Sequence, residues 1–391
     1  MHYTITRGSV HQHAYQLLQS CLRVRDFGSC TAGVLWHVIF AACARLCTLA
    51  AACRCLAGAP SRETVRQGLL RWLPVRDELL RRLNKALTLE IPRALRRRPQ
   101  QVAIDLVLIP YHGQPMVDLK EVYRSQAKSG TSHFHAYATA YVNYRGQRYT
   151  LALAIVERGE KLEAVLQRLL KRVSALGIRV QMLLLDRGFW SVAVIRYLQA
   201  ARRPFLMPVV LRGRKDGHPE GPSGTRVFAM RKSGGFDEYT LTSTAKKTAR
   251  VRVCVHCRNY NGQWNRRGRQ TLVYAFWGIE PSSTAWVRQT YRKRFAIETS
   301  YRQMHQARPR TYTRNPVVRL LLVGVALVLR NVWVWLHYEV LASPHRGQRR
   351  LNLDLLPLKQ MLLWLLHQAE QELGWCDEVD AERPMLPVCN Q

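Results

Sequence analysis

Three acidic residues occupy settings in which an unpaired carboxylate is costly. Asp105 interrupts the apolar run 101–110, which reads as a buried strand, and a charge there needs a partner or a metal. Asp186 closes a second buried strand, 180–185, and precedes Arg187, Gly188, Phe189 and Trp190. Open α/β sheets place their sites at the C-terminal ends of strands, and Gly188 reads as the residue that lets the chain turn sharply there. Glu298 lies on a helix running from Tyr291 to His305. Hard divalent cations take carboxylate oxygens. Two such ions about 3.5–4 Å apart stabilise both the attacking and the leaving oxygen of a displacement at phosphorus. Two strand aspartates and a helix glutamate, converging from distant sequence, can hold such a pair. Each also has a plainer reading: Asp186 as a cap of the turn after it, Glu298 as the partner of Arg294 one helical turn earlier.

The elements that must position these acids follow from the hydrophobic periodicity. Residues 1–98 are helical in character. Between Arg62 and Leu87 apolar residues recur at three- and four-residue steps, and Pro74 interrupts the run. From residue 99 the pattern changes to strands at 101–110, 134–144 and 148–156, an amphipathic helix at 160–176 closed by Gly177, the strand 180–185, a helix at 191–201 and a strand from Phe205. That alternation predicts an α/β core. Residues 212–270 are rich in Gly, Ser, Thr and Arg, with short alternating runs, and predict a β-rich lobe outside the core that closes with the apolar strand 272–277. The chain is helical again from Ser283. Five segments result: a helical N-terminal domain (1–98), a first core segment (99–211), a β-rich insertion (212–278), a second core segment (279–341) and a helical C-terminal region (342–391).

Composition narrows the partners. The 391 residues include 60 Lys and Arg against 26 Asp and Glu, a net charge of +34, with 47% hydrophobic residues. A globular protein this basic attracts polyanions, above all nucleic acid. Ten cysteines are present, six of them between Cys21 and Cys55. Their spacing matches no zinc finger, and the polar N-terminus predicts a reducing, cytoplasmic setting with free thiols. Cys254 and Cys257 form a lone C-x-x-C in a strand-like run, read as structural. The apolar stretches 33–57 and 317–341 carry His, Arg or Asn and read as buried helices, so no membrane partner is expected.

The segments around the three acids resemble those of DDE transposases of bacterial insertion sequences. One subgroup carries a Tyr-x2-Arg-x3-Glu-x6-Lys signature at its third acid. Tyr291, Arg294 and Glu298 match it, and His305 stands where the lysine belongs. Asp186, Arg187, Gly188 and Phe189 resemble the Asp-Arg-Gly-aromatic motif of the second acid. Asp105 matches the first by placement. The resemblance spans roughly residues 100–340.

It implies an RNase H-like core interrupted by the β-rich insertion, with Asp105, Asp186 and Glu298 as catalytic metal ligands for Mg²⁺, Mn²⁺ being tolerated. At steps of three, four and seven, Tyr291, Arg294, Glu298 and His305 share one helix stripe. Tyr291 orients that helix, while Arg294 and His305 hold phosphate, the neutral imidazole less strongly than a lysine. A Trp of the insertion stacks on a flipped base; exposed Trp264 is the candidate ahead of Trp277, which reads as core. The implied activity is cleavage and joining of double-stranded DNA, element ends and target, by a homodimer in the synaptic complex, in a bacterial cytoplasm and nucleoid. The rivals are a nuclease of the same fold that does not rejoin, and a decayed copy that only binds DNA.

Overall fold

The computed structural model describes residues 4–144, 146–215, 217–261, 267–345 and 348–377, and side chains within that set other than those of 260, 261, 267, 295–298, 344, 345 and 348. The chain opens with five helices: α1 (Arg7–Leu22), α2 (Ala32–Arg45), α3 (Leu49–Arg54), α4 (Arg62–Trp72) and α5 (Arg76–Thr88). Thr6, Thr31, Thr48 and Ser61 cap the first four, each hydroxyl accepting from a backbone N–H inside its helix. Pro74 lies in the short break between α4 and α5, as its missing N–H requires.

A mixed sheet follows: β1 (Gln100–Pro110), β2 (Tyr123–Lys128), β3 (Thr131–Tyr144), β4 (Gln147–Val156), helix α6 (Leu162–Ala175), β5 (Val180–Leu185), helix α7 (Val192–Ala200) and β6 (Phe205–Pro208). Then come β7 (Gly235–Thr242), β8 (Thr248–Asn261) and β9 (Arg267–Trp277). The strand order is β2-β3-β1-β5-β6-β9-β8-β7, with β4 also paired to β3. Only β1–β5 and β5–β6 are parallel; every other pairing is antiparallel.

The strands expected between 212 and 278 are present, but they do not stand apart. Trp277 through Tyr274 of β9 pair with Phe205 through Pro208 of β6, so β7–β9 continue the central sheet. The physical reason is the apolar character of β9, whose Val273, Tyr274, Ala275 and Phe276 are buried. A strand with that surface gains more by joining the sheet than by facing water.

Helices α8 (Thr284–Arg292), α9 (Ala296–Ala307) and α10 (Pro316–Trp335) return across the sheet, followed by a hairpin of β10 (Ser343–His345) and β11 (Gln348–Arg350) and by α11 (Leu358–Leu373). The hairpin was not expected from the sequence. Residues 316–340 are long and apolar enough to cross a membrane, yet 94% of the most apolar window is buried inside the fold. Leu320 through Leu329 pack there without a polar face because α10 is surrounded on all sides.

The large core lies on the α5, α6 and α10 side of the sheet. A smaller one, containing Ala103, Tyr141, Met182, Leu184, Phe276 and Tyr291, lies on the other face with α8. Two buried asparagines close the outer edge of β4. Asn84 donates to the Leu153 carbonyl (2.9 Å) and accepts from its N–H (2.8 Å). Asn331 does the same at Thr150, at 2.9 and 3.1 Å. Backbone groups that an edge strand would leave unpaired in an apolar interior are thereby satisfied.

Candidate active site

Ile104 of β1 pairs with Leu185 of the parallel strand β5. Asp105 and Asp186 each follow that pair by one residue, so the register places them side by side where β5 ends. Asp105 is buried and Asp186 half-buried. The Asp186 side chain does not cap the turn that follows it; its carboxylate is turned to the site instead. Gly188 takes an ordinary backbone conformation, and a Cβ there would meet open space. The sharp-turn reading of Gly188 is therefore corrected: the turn suits any residue, and the glycine leaves room beside Asp186.

One guanidinium joins the two acids. Arg294 Nη1 donates to Asp105 Oδ2 at 2.9 Å, and Arg294 Nη2 lies 3.1 Å from Asp186 Oδ1. Arg294 is only 5% exposed, so little water screens its bond to Asp105, while the Asp186 end of the bridge is open to solvent. Asp105 Oδ1 accepts from the Leu106 N–H at 2.8 Å. Burial pushes the Asp105 carboxyl up to about 6; Arg294 opposes this, and Asp186 adds to it. Two carboxylates and one cation leave the site a net acceptor of positive charge.

The helix expected from Tyr291 to His305 is broken. Tyr291 sits on α8, Arg294 on a 3-10 turn at Lys293–Phe295, and Glu298 and His305 on α9. The single stripe is corrected accordingly. The break has a tertiary cause: the Tyr141 hydroxyl donates toward the carbonyls of Arg294 (3.0 Å) and Lys293 (3.3 Å), groups that a continuous helix would offer to N–H groups four residues on.

Tyr291 is buried, and its hydroxyl donates to the carbonyl of Leu185 at 3.2 Å, tying α8 to the end of β5. Tyr291 and Arg294 thus both face inward, onto the ends of β5 and β1. Glu298 is in the first turn of α9, and its side chain lies outside the described residues, as does Trp264. His305 is exposed at the far end of α9. Desolvation, then Arg308 and Lys128, push its imidazole below the usual value, and an ordinary imidazole is already mostly neutral at pH 7. Trp277 is half-buried in β9.

Sequence reasoning passed over the residues that hold α9 against the sheet. The Tyr301 hydroxyl donates to the Asp105 carbonyl at 3.0 Å and lies 2.8 Å from Thr139 Oγ1, Thr139 being the β3 partner of Asp105. Only the aromatic character of 291–301 hinted at this. Among the described residues nine cysteines are free thiols, Cys254 buried and Cys257 half-buried in β8.

Among the described residues no group of three His, Cys, Asp or Glu side chains gathers. The donor set nonetheless suits a divalent cation: hard carboxylate oxygens from neighbouring strands already converge on one positive group, and Arg294 stands in for that charge.

Residues 96–330 match the family described as the transposase DDE domain. This is more than half of the chain, and the chain belongs to that family. A comparison with curated proteins returns no match. Among solved structures, the chain is similar to a piggyBac transposase in a synaptic complex with hairpin DNA, determined by cryo-EM. The TM-score is 0.47 at 12% identity, over 93% of this chain and 71% of that one.

Proposed function

We propose that this chain is a transposase that cuts DNA at the ends of a mobile element and joins the freed 3′-OH to target DNA. In this reading the core is RNase H-like, and Asp105, Asp186 and Glu298 form its carboxylate set. The observation that carries it is the meeting of Asp105 and Asp186, distant in sequence, on adjacent parallel strands around one shared cation.

Asp105 and Asp186 are the residues that would hold Mg²⁺, or Mn²⁺ in its place, with Glu298 completing the set from α9. When bound, such ions activate water or a 3′-OH and stabilise the leaving oxygen. The chain's own residues do the rest. Tyr291 fixes α8 on β5, Tyr301 fixes α9 on β1, and Arg294 balances the two aspartates before substrate arrives. His305 stands where the subgroup signature has lysine; being neutral, it hydrogen-bonds a phosphate but does not pair with it as a charge. Double-stranded DNA and a second copy of the chain are the proposed partners, because two element ends must be brought together.

The same bridge favours a second reading, a DNA-binding protein without catalysis, since Arg294 already occupies both acids and offsets part of their charge. The test is Mg²⁺-dependent cleavage and joining on DNA that carries the element's ends, beside a binding assay. Asp186→Asn should abolish cutting by at least about 100-fold and leave DNA affinity within a few-fold. Wild-type-like cutting by that variant would remove the mechanism. Tight binding without cutting by the unaltered protein selects the second reading, and cutting without joining selects a nuclease.

A further inference from the structure

Of the groups that the subgroup signature assigns to phosphate, Arg294 is held on the two aspartates and His305 stands exposed on α9, so a wider surface that meets DNA has to be sought beyond them. The loop between α9 and α10 has the composition for it. Arg310, Thr311, Tyr312, Thr313 and Arg314 lie in succession, and Tyr312 is 86% exposed, the most exposed of the large apolar and aromatic side chains described. Exposure at a floppy tip would mean little, but this loop is pinned along its length. Arg310 N–H donates to the Cys47 carbonyl at 3.1 Å, and Arg319 Nε donates to the Thr313 carbonyl at 2.7 Å. Arg314 Nη2 donates to the Pro115 carbonyl at 2.8 Å. The Thr311 and Thr313 hydroxyls accept from the N–H groups two residues on, both at 3.2 Å. The phenol is held out into water by a preorganised backbone, which lowers the ordering cost of binding something there.

Its surroundings say what that something is. The loop forms one wall of a groove of about 760 Å³ whose opposite wall is α4, with Arg62 and Arg66 exposed on it. Among the described residues Arg310 and Arg314 form no ion pair, Arg62 acts on Glu63 only at longer range, and Arg66 pairs with Glu63. A fixed aromatic face beside exposed arginines, over a groove floored by Leu49, Leu69, Leu70 and Met116, fits a polyanion with flat apolar faces of its own. Arginine matches phosphate bidentately, and a base stacks on the ring whatever its sequence. The position is suitable as well. Nine residue steps of α9 carry the chain about 14 Å from Glu298 to Ala307 at the rise of an α-helix, and the loop begins three residues on, set apart from the acids.

We propose that Tyr312, with Arg310 and Arg314 beside it and Arg62 across the groove, forms a DNA-binding platform that grips the strand apart from the cutting site, the ring stacking on an unpaired or end base and the arginines taking phosphates. It rests on the reading of the chain as a DNA-acting protein and names the part of it that touches DNA outside the acids.

The test is equilibrium binding of the full chain, without divalent metal, to a fluorescent duplex bearing a short single-stranded end, across a range of salt. Tyr312→Ala should weaken binding about 5- to 150-fold, the equivalent of one lost stacking contact, while Tyr312→Phe stays within about two-fold. Arg310→Ala with Arg314→Ala should lower the salt slope by about two phosphate contacts, and Arg350→Ala, on the distant hairpin, should alter affinity by less than Arg314→Ala does. Because these side chains are exposed, unchanged melting temperatures exclude misfolding as the cause. Affinity and salt slope unchanged in the Tyr312 and arginine variants overturn the platform. So does loss of self-association in Tyr312→Ala with DNA affinity intact, which would make the groove a protein contact. A wild-type protein that binds through Tyr312 but never cuts ends the transposase reading and leaves the platform standing. Mg²⁺-dependent cutting with Tyr312-independent binding does the opposite.

Discussion

At the scale of single residues, Arg294 decides how the site behaves without metal. It is the cation shared by Asp105 and Asp186, so any divalent ion has to compete with it. Replacing Arg294 with Gln removes the charge and leaves a single donor group in place of two. The two carboxylates then repel, and the metal-free protein should melt several degrees lower, at a cost of about 1–3 kcal/mol. Mn²⁺ should raise the melting temperature of Arg294→Gln by more than it raises that of the wild type, in a thermal-shift titration. An equal or smaller shift would mean that Arg294 does not compete for the carboxylates. The two aspartates were legible in the sequence because a carboxylate in an apolar strand announces a partner. The role of Arg294 was not. Its spacing from Tyr291 and Glu298 suggests a helix stripe, and what breaks the helix is a hydrogen bond from Tyr141, on a strand far away in sequence.

At the scale of elements, the helix α10 and the edge strand β4 are fixed from both sides. A Cβ on Gly324 would lie 2.4 Å from Leu83 Cδ1 and 2.5 Å from Cδ2. Leu83 is fully buried in α5, so it has nowhere to turn, and Gly324→Ala should destabilise by about 1–3 kcal/mol through overpacking. The double variant with Leu83→Ala should cost less than the sum of the two single changes. Chemical denaturation of the three variants checks this; strict additivity would show that the helices part instead of clashing. Most of these elements could be read from periodicity and from Pro74. The continuation of β6 into β9 could not, because alternation along a strand shows which face is buried and not which neighbour pairs with its edge. The hairpin β10–β11 was missed for a related reason: strands of three residues are too short to show a period.

At the scale of the whole molecule, buried histidines set the acid limit. Burial, with His37 adding, lowers His11 from 6.5 to about 4, Glu372 opposing. Burial and Arg319 lower His135 to about 4 as well. A folded-state value below the unfolded one means that the unfolded chain binds more protons between pH 6.5 and 4. Stability is therefore present above 6.5 and lost as the pH falls toward 4. Asp105, raised to about 6, acts in the opposite sense, gaining stability as the pH falls through that value. Two histidines outweigh one carboxyl, and a net loss of a few kcal/mol is expected by pH 4. Denaturant midpoints measured from pH 7.5 to 4 should fall steadily, and a flat profile would contradict the neutral, buried histidines. Replacing His11 with Phe should shallow the slope. The charge of +34 bears on binding instead: affinity for duplex DNA should fall steeply with added salt.

The C-terminal helix has a consequence for biosynthesis. Helix α11 packs against α1 and α2; Arg7 reaches Gln371, Arg45 pairs with Glu370, and the Gly58 N–H donates to the Leu373 carbonyl. The first helices to leave the ribosome therefore lack one wall of their core until residues 358–373 follow. At roughly 5–20 residues per second, that wait is on the order of tens of seconds. During it, the apolar face of α2 stays without its α11 partner, open to chaperones. The helical end of the fold thus closes only once translation has passed α11.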